Sequence, residues 1–221
     1  TPIYTNVQYP WGEANPPIIP ADNNPVSSYR RTFQIPAEWA DRHILLRFEG
    51  VESAFFVWVN GQQVGFSEDS RTDAEFDITP YIKTGENLLA VEVYRWSDGS
   101  YLEDQDFWRL SGIYRDVYLL AVSDVHIWDI EVVTDLDDSY RDARLTLKAT
   151  LRNFGKTAAV ARIEASLRDP ATGEEVFAPI AADADVPAGG TATVTLTQAV
   201  KAPSLWSSEH PNLYPLAVSQ L

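Results

Sequence analysis

Apolar and polar positions alternate with a period of two along most of this chain, in short runs. "YRRTFQI" (29–35), "HILLRFEGV" (43–51), "AFFVWVNG" (54–61), "NLLAVEVYRW" (87–96) and "IYRDVYLLAV" (113–122) are rich in β-branched and aromatic residues. Turn-forming residues separate them, so each reads as a strand. Val57-Trp58-Val59-Asn60 alternates cleanly and runs into Gly61, and an Asn-Gly pair at that point predicts a tight hairpin. In "FDITPYIKTGEN" (76–87), Asp77 opens a turn and Gly85-Glu86-Asn87 leads into the next strand. No helix-period segment exceeds about two turns; "PAEWADR" (36–42) predicts a single helical turn started by Pro36.

The pattern changes after Val122. Aromatic residues thin out, Ala, Thr and Val take over, and the strands become more regular: "HIWDIEVVTDL", "ARLTLKATLRN", "VARIEASLRD", "TATVTLTQAV" and "YPLAVSQL". The turn signals "DPATGEE" and "VPAGG" fall between them. Strands at this spacing over residues 123–221 predict a seven-stranded immunoglobulin-like sandwich. The longer loops and aromatic strands of residues 1–122 predict a jelly-roll sandwich. The fold class is therefore all-β, in two consecutive domains.

Composition narrows the chemistry. The 221 residues are 45% hydrophobic, enough for packed cores, and the longest apolar runs fall far short of a membrane helix. Residues 1–10 have neither the basic start nor the apolar core of a signal peptide. The net charge of −15 is spread over both halves, −9 up to Val122 and −6 beyond it. That field repels phosphate backbones and anionic lipid surfaces, so no nucleic-acid or membrane partner is expected. With no cysteine, disulfides and thiol chemistry are excluded. His43, His126 and His210 are scattered singly, which argues against a zinc cage or a histidine-dependent triad.

One stretch concentrates chemistry. "RWSDGSYLEDQDFWRL" (95–110) holds Asp98, Glu103, Asp104 and Asp106, interleaved with Trp96, Tyr101 and Trp108 and flanked by Arg95 and Arg109. Sugars offer hydroxyls that need acceptors and a C–H face that packs on an aromatic ring. Three readings remain open from spacing alone: a solvated acidic turn, a ligand or ion site, or a catalytic pair such as Glu103 with Asp106. The last would need the two carboxyls roughly 5–5.5 Å apart for a retaining glycosidase. "YTNVQYPW" (4–11) reads as an extended aromatic loop between Pro2 and Pro10. Its rings either cover the sandwich or frame Asn6 as a hydrogen-bonding group. "SEDSR" (67–71) puts Glu68, Asp69 and Arg71 at a strand end. Glu68 with Asp98 suits a hard cation such as Mg²⁺, which takes one or two carboxylates; an ion-pair cluster with Arg71 fits as well.

"PIYTNVQYPW", "VNGQQVGFSEDSRTDAEFDIT" and "RWSDGSYLEDQDFWRLSGIYRDVYLL" together resemble the non-catalytic front of bacterial β-galactosidases of glycoside hydrolase family 2. The likeness continues more weakly to "PSLWSSEHPNLYPLAVSQL", similar to that family's close of its immunoglobulin-like domain. The resemblance implies a galactose-binding-like jelly roll and an immunoglobulin-like spacer, with the catalytic glutamates on a TIM barrel that follows, so this chain carries no catalytic residue. It implies that the jelly roll begins ahead of Thr1, leaving an exposed edge. It places Asn6, with Tyr4, and Asp106 against a β-galactoside such as lactose, and gives Asp106 a second role as a ligand of Na⁺ or K⁺. It puts Asp98 near a structural Mg²⁺, whereas Glu68 stands where a Gln is usual. Glu103 and Asp104 are expected to hydrogen-bond within their loop, with Trp96 and Trp108 packed beneath. The implied parent hydrolyses terminal β-galactosides with retention, is a homo-oligomer (a tetramer), and resides in the bacterial cytoplasm.

Overall fold

In the computed structural model the chain separates into two compact units, Thr1–Val122 and Ser123–Leu221. The structure describes residues 9–103 and 109–221. Both units are built almost wholly of antiparallel strands, and no helix among the described residues is long and apolar enough to cross a membrane.

The first unit contains β1 (Val26–Gln34), β2 (His43–Phe48), β3 (Val51–Glu52), β4 (Ala54–Val59), β5 (Gln62–Ser67), β6 (Ala74–Asp77), β7 (Glu86–Tyr94), β8 (Gly112–Ile113) and β9 (Val117–Val122). A four-stranded sheet runs β1-β7-β4-β5, a three-stranded sheet β6-β2-β9, and β3 pairs with β8. Alternation decides what is buried. Ile44, Leu46 and Phe48 of β2 meet Phe55, Val57 and Val59 of β4 and Val91 and Val93 of β7 in one core. Phe48 and Phe55 pack with ring centroids 4.9 Å apart. Pro36 precedes a single 3₁₀ turn at Ala37–Trp39, as "PAEWADR" predicts.

The β4–β5 hairpin turns at Asn60 and Gly61, both left-handed at φ 52° and 83°, the pairing a type I′ turn requires. Asn60 also donates to the Tyr81 carbonyl at 2.9 Å and to Asn87 Oδ1 at 2.8 Å, tying the turn to the start of β7. Asp77 Oδ1 accepts from Thr79 N at 3.0 Å and so starts the second 3₁₀ turn, Thr79–Tyr81.

The second unit packs β10 (Val125–Leu136), β11 (Asp142–Asn153) and β14 (Thr191–Lys201) against β13 (Ile180–Val186), β12 (Ala159–Leu167) and β15 (Leu216–Gln220). Its core alternates along β11 (Leu147, Ala149, Leu151) and β12 (Ala161, Ile163, Ala165). The Asp137 carboxylate caps the β10–β11 hairpin, accepting from Ser139 N, Arg141 N and Asp142 N. Six strands form where seven are expected. Between β12 and β13 the chain makes only the isolated bridge Arg168–Glu175.

Candidate functional site

The chemistry-bearing residues gather where β5 and β7 end. Past Tyr94 the chain leaves the sheet, and Asp98 starts a one-turn helix, α1 (Gly99–Leu102), by accepting from Gly99 N at 3.1 Å. A buried serine network fixes the start of that turn. Ser53 Oγ donates to Ser97 Oγ at 2.5 Å, Ser100 Oγ donates to Ser53 Oγ at 3.2 Å, and Ser97 N donates to Ser100 Oγ at 3.1 Å. The result is a rigid support under Asp98, because every member of the network is within reach of another.

Across from it, the loop after β5 carries Glu68 to within hydrogen-bonding reach of the Asp98 carboxyl. The Glu68 carboxyl is pushed up from its ordinary value, first by burial, then by the negative charge of Asp98 and the hydrogen bond with it, with a lesser push from Glu103. The Asp98 charge disfavours ionisation of Glu68, which a bound cation would relieve. Both line a shallow cavity of roughly 300 Å³ that Phe56, Phe66 and Tyr94 also border. Among the described residues no set of three or more His, Asp or Glu side chains is placed to hold a metal. Two neighbouring carboxylates are the donors that the described residues offer, and a pair of that kind would suit an ion that keeps several waters, as Mg²⁺ does.

Among the described residues, the Glu103 side chain has its partner in another loop. It reaches Ser70, accepting from Ser70 N at 2.6 Å through Oε1 and from Ser70 Oγ at 2.7 Å through Oε2. The bonds crosslink two loops, because Ser70, 1% exposed, offers two donors in one direction. Tyr114 donates its hydroxyl to the Ser70 carbonyl from the other side. Arg71 pairs with the buried Glu52 at 3.6 Å, and Glu52 Oε2 accepts from Leu110 N at 2.7 Å. Asp69 turns back on its own loop, accepting from Arg71 N at 3.1 Å and Thr72 N at 3.3 Å. Its carboxyl is pulled below the ordinary aspartate value, most strongly by its hydrogen bond with the Thr72 side chain.

Trp96 is buried. Its ring meets Tyr9 at 5.7 Å and Trp11 at 5.5 Å, and Tyr9 stacks on Trp11 at 5.2 Å. The Arg109 guanidinium, also buried, lies 5.4 Å from Trp96 and 5.7 Å from Tyr9. Asn24 closes the group by bonding both the N–H and the carbonyl of Trp96. Asn6, Tyr4, Asp104, Asp106 and Trp108 lie outside the described residues. The positions on either side of residues 104–108 are both anchored: Glu103 to Ser70, Leu110 to Glu52.

Glu52 and the serine trio are the residues that sequence reasoning missed. A lone acid inside the apolar run "VESAFFVWV" was the available signal for Glu52. Nothing in the spacing of Ser53, Ser97 and Ser100 marks them as one network.

Two family models account for nearly the whole chain: the sugar binding domain of glycosyl hydrolases family 2 matches residues 1–123, and a second model, of glycosyl hydrolases family 2, matches residues 125–220. The chain belongs to glycosyl hydrolases family 2. This family 2 chain is 50% identical to a β-galactosidase of Priestia megaterium over 99% of its own length and 46% identical to one of Halalkalibacterium halodurans over 97%. It spans 21% of the length of each of those relatives. Among solved structures it is similar to a Bacteroides uniformis β-glucuronidase, with a TM-score of 0.81 and 25% identity over 89% of this chain and 24% of that one. It also resembles a family 2 member from Bacteroides cellulosilyticus, with a TM-score of 0.74 and 26% identity over 92% of this chain and 28% of that one. The fold is therefore that of the family 2 front: a sugar-binding jelly roll followed by an immunoglobulin-like sandwich.

Proposed function

We propose that this chain is a non-catalytic, substrate-facing portion of a retaining β-galactosidase. The observation that carries this reading is the identity of 42–50% to proteins named β-galactosidase, sustained across 97–100% of the chain. A retaining glycosidase forms and then hydrolyses a covalent glycosyl-enzyme on a carboxylate nucleophile. In this reading both catalytic carboxylates belong to another domain of the longer protein. This chain supplies Asn6, Tyr4 and Asp106 to the sugar, and Asp106 also serves as a ligand of Na⁺ or K⁺. Glu68 and Asp98 hold Mg²⁺, which supplies charge neutralisation where the β5 loop meets α1.

Glu103 and Glu52 act as positioning residues on either side of "DQDFW". The Glu103–Ser70 and Glu52–Leu110 bonds restrain the backbone entering and leaving that segment. Binding geometry depends on such restraint, since a contact misplaced by about 1 Å costs heavily in rate.

Incubating the chain with a chromogenic β-galactoside tests the assignment, with no release above the blank expected. Turnover by the chain alone would return the loop carboxylates to the role of catalysts. A second reading, a carbohydrate-binding module that acts by itself, is favoured by the matched description "sugar binding domain". Calorimetric titration with lactose separates the two. The proposed reading expects weak binding or none, and the module expects a clear saturating isotherm.

A further inference from the structure

The turn between β4 and β5 carries reactive chemistry as well as a shape. Asn60-Gly61 is the one Asn-Gly pair in the sequence. In such a pair no side chain on the glycine hinders its amide nitrogen. A base removes the Gly61 amide proton, the nitrogen bonds Asn60 Cγ to close a succinimide, and the carboxamide nitrogen departs as ammonia. Water then opens the ring to aspartate or isoaspartate. The reaction needs base to reach Gly61 and the carboxamide to turn toward it. The first condition is met, since no described atom lies within 4 Å of where a Gly61 side chain would stand. The second is not. Asn60 Nδ2 donates to the Tyr81 carbonyl at 2.9 Å and to Asn87 Oδ1 at 2.8 Å, and Asn60 Oδ1 accepts from Leu88 N at 3.1 Å. The Asn60 backbone N–H also donates to the Leu88 carbonyl at 2.8 Å. The fold thus withholds the carboxamide carbon, not the nucleophile.

We propose that Asn60 is a self-modification site gated by the β4–β5 hairpin. Each excursion that detaches the turn from β7 frees the carboxamide for succinimide formation, and the product cannot dock again, so an opened chain is permanently marked. The bonds that protect Asn60 are the ones its product cannot make. An aspartate at this position offers acceptor oxygens and no donor, so it meets the Tyr81 carbonyl and Asn87 Oδ1 with like polarity. Asn87 is not at liberty to turn its amide round. Its Oδ1 also accepts from Lys83 N at 2.8 Å, and its Nδ2 donates to the Lys83 and Gly85 carbonyls at 3.0 and 3.1 Å. Isoaspartate would instead add a backbone carbon to the two-residue loop that sets the pairing of Val59 with Gln62. The proposal rests on the first unit's own hydrogen bonds and is independent of any galactoside contact.

The test incubates the intact chain in mildly alkaline buffer beside an end-blocked peptide spanning Val57–Val64, which has the same pair and no fold. Mass spectrometry of the fragment containing residue 60 reads conversion of amide to acid. The folded chain is expected to react about a hundredfold more slowly than the peptide, the combined effect of three hydrogen bonds each worth about three- to tenfold. Asn87→Ala removes one acceptor of the Asn60 amide and is expected to speed the reaction in the folded chain at least about threefold. Asn60→Asp, the product made directly, is expected to lower the folding equilibrium constant of the first unit about ten- to a hundredfold, read as a lower urea midpoint. A folded chain that reacts within about threefold of the peptide, the effect of one weak bond, would overturn the gating. So would an Asn87→Ala rate equal to that of the natural chain. An unchanged urea midpoint for Asn60→Asp would show that the product docks again and would overturn the permanent mark. The comparison of natural chain with peptide needs no variant, so it decides the gating even if Asn87→Ala fails to fold.

Discussion

Glu68 and Asp98 show how two residues thirty positions apart become one electrostatic unit. Burial and the adjacent Asp98 both raise the Glu68 carboxyl, so near neutral pH the pair carries mutual repulsion that nothing else described nearby offsets. The physical remedy is either to remove one charge or to add a cation. Glu68→Gln in a metal-free buffer is expected to raise the melting temperature by roughly 2–4 °C, the shift that about 1 kcal/mol produces in a chain of this size. Millimolar Mg²⁺ at constant ionic strength should raise the melting temperature of the natural chain and leave the Gln variant nearly unmoved. Differential scanning calorimetry reads both. An equal Mg²⁺ response in the two chains would remove Glu68 from the ion site.

At the level of elements, what was legible followed from alternation and turn chemistry. The β4–β5 hairpin was readable because Asn60-Gly61 is one of few pairs that tolerate two left-handed residues in sequence. Strands β5, β6 and β13 were not singled out. "QQVGFS" interrupts its alternation with Gly65, "AEFD" is too short to show a period, and "IAADADV" alternates only Ala with Asp. Helix α1, at four residues, is below any periodicity and is set by the Asp98 cap and the serine network. The acidic cluster announced itself by composition, but its partners did not. Ser70 and Glu52 lie 33 and 58 positions from the residues they anchor, a separation only the folded sheet order closes.

Asn87 tests how such a long-range polar tie stabilises an element. It is 1% exposed, accepts from Lys83 N and Asn60 Nδ2, and donates to the Lys83 and Gly85 carbonyls, locking the entry to β7 onto the hairpin turn. Asn87→Ala removes four hydrogen bonds, one of them to the half-buried Asn60 amide, and empties a buried site, so a loss of about 1–3 kcal/mol is expected. A urea titration reporting on the first unit should show the midpoint fall accordingly. An unchanged midpoint would mean that water takes over Asn87's partners.

On the scale of the whole molecule, charge sets how stability answers to salt. Exposed pairs hold opposite charges together: Lys148–Glu131 at 3.1 Å, Arg162–Asp183 at 3.0 Å and Lys201–Asp142 at 2.6 Å. Each such pair is worth about 0–1 kcal/mol, and salt weakens it. Against them stand 32 acidic residues and only 17 basic ones, so the acids exceed the bases by 15. Their repulsion is long-ranged at low salt and is screened beyond the Debye length, about 8–10 Å at physiological ionic strength. The balance favours repulsion, because each exposed pair contributes little while the excess of 15 negative charges acts on the whole chain. Raising choline chloride from about 20 to 300 mM, a range that shortens the Debye length several-fold, is therefore expected to raise the melting temperature. Choline is too large to occupy the Glu68–Asp98 site, so the rise reports screening alone. A melting temperature that falls with choline chloride would show that the local pairs outweigh the net field. In that case the Mg²⁺ response of Glu68 would have to be judged against a destabilising background.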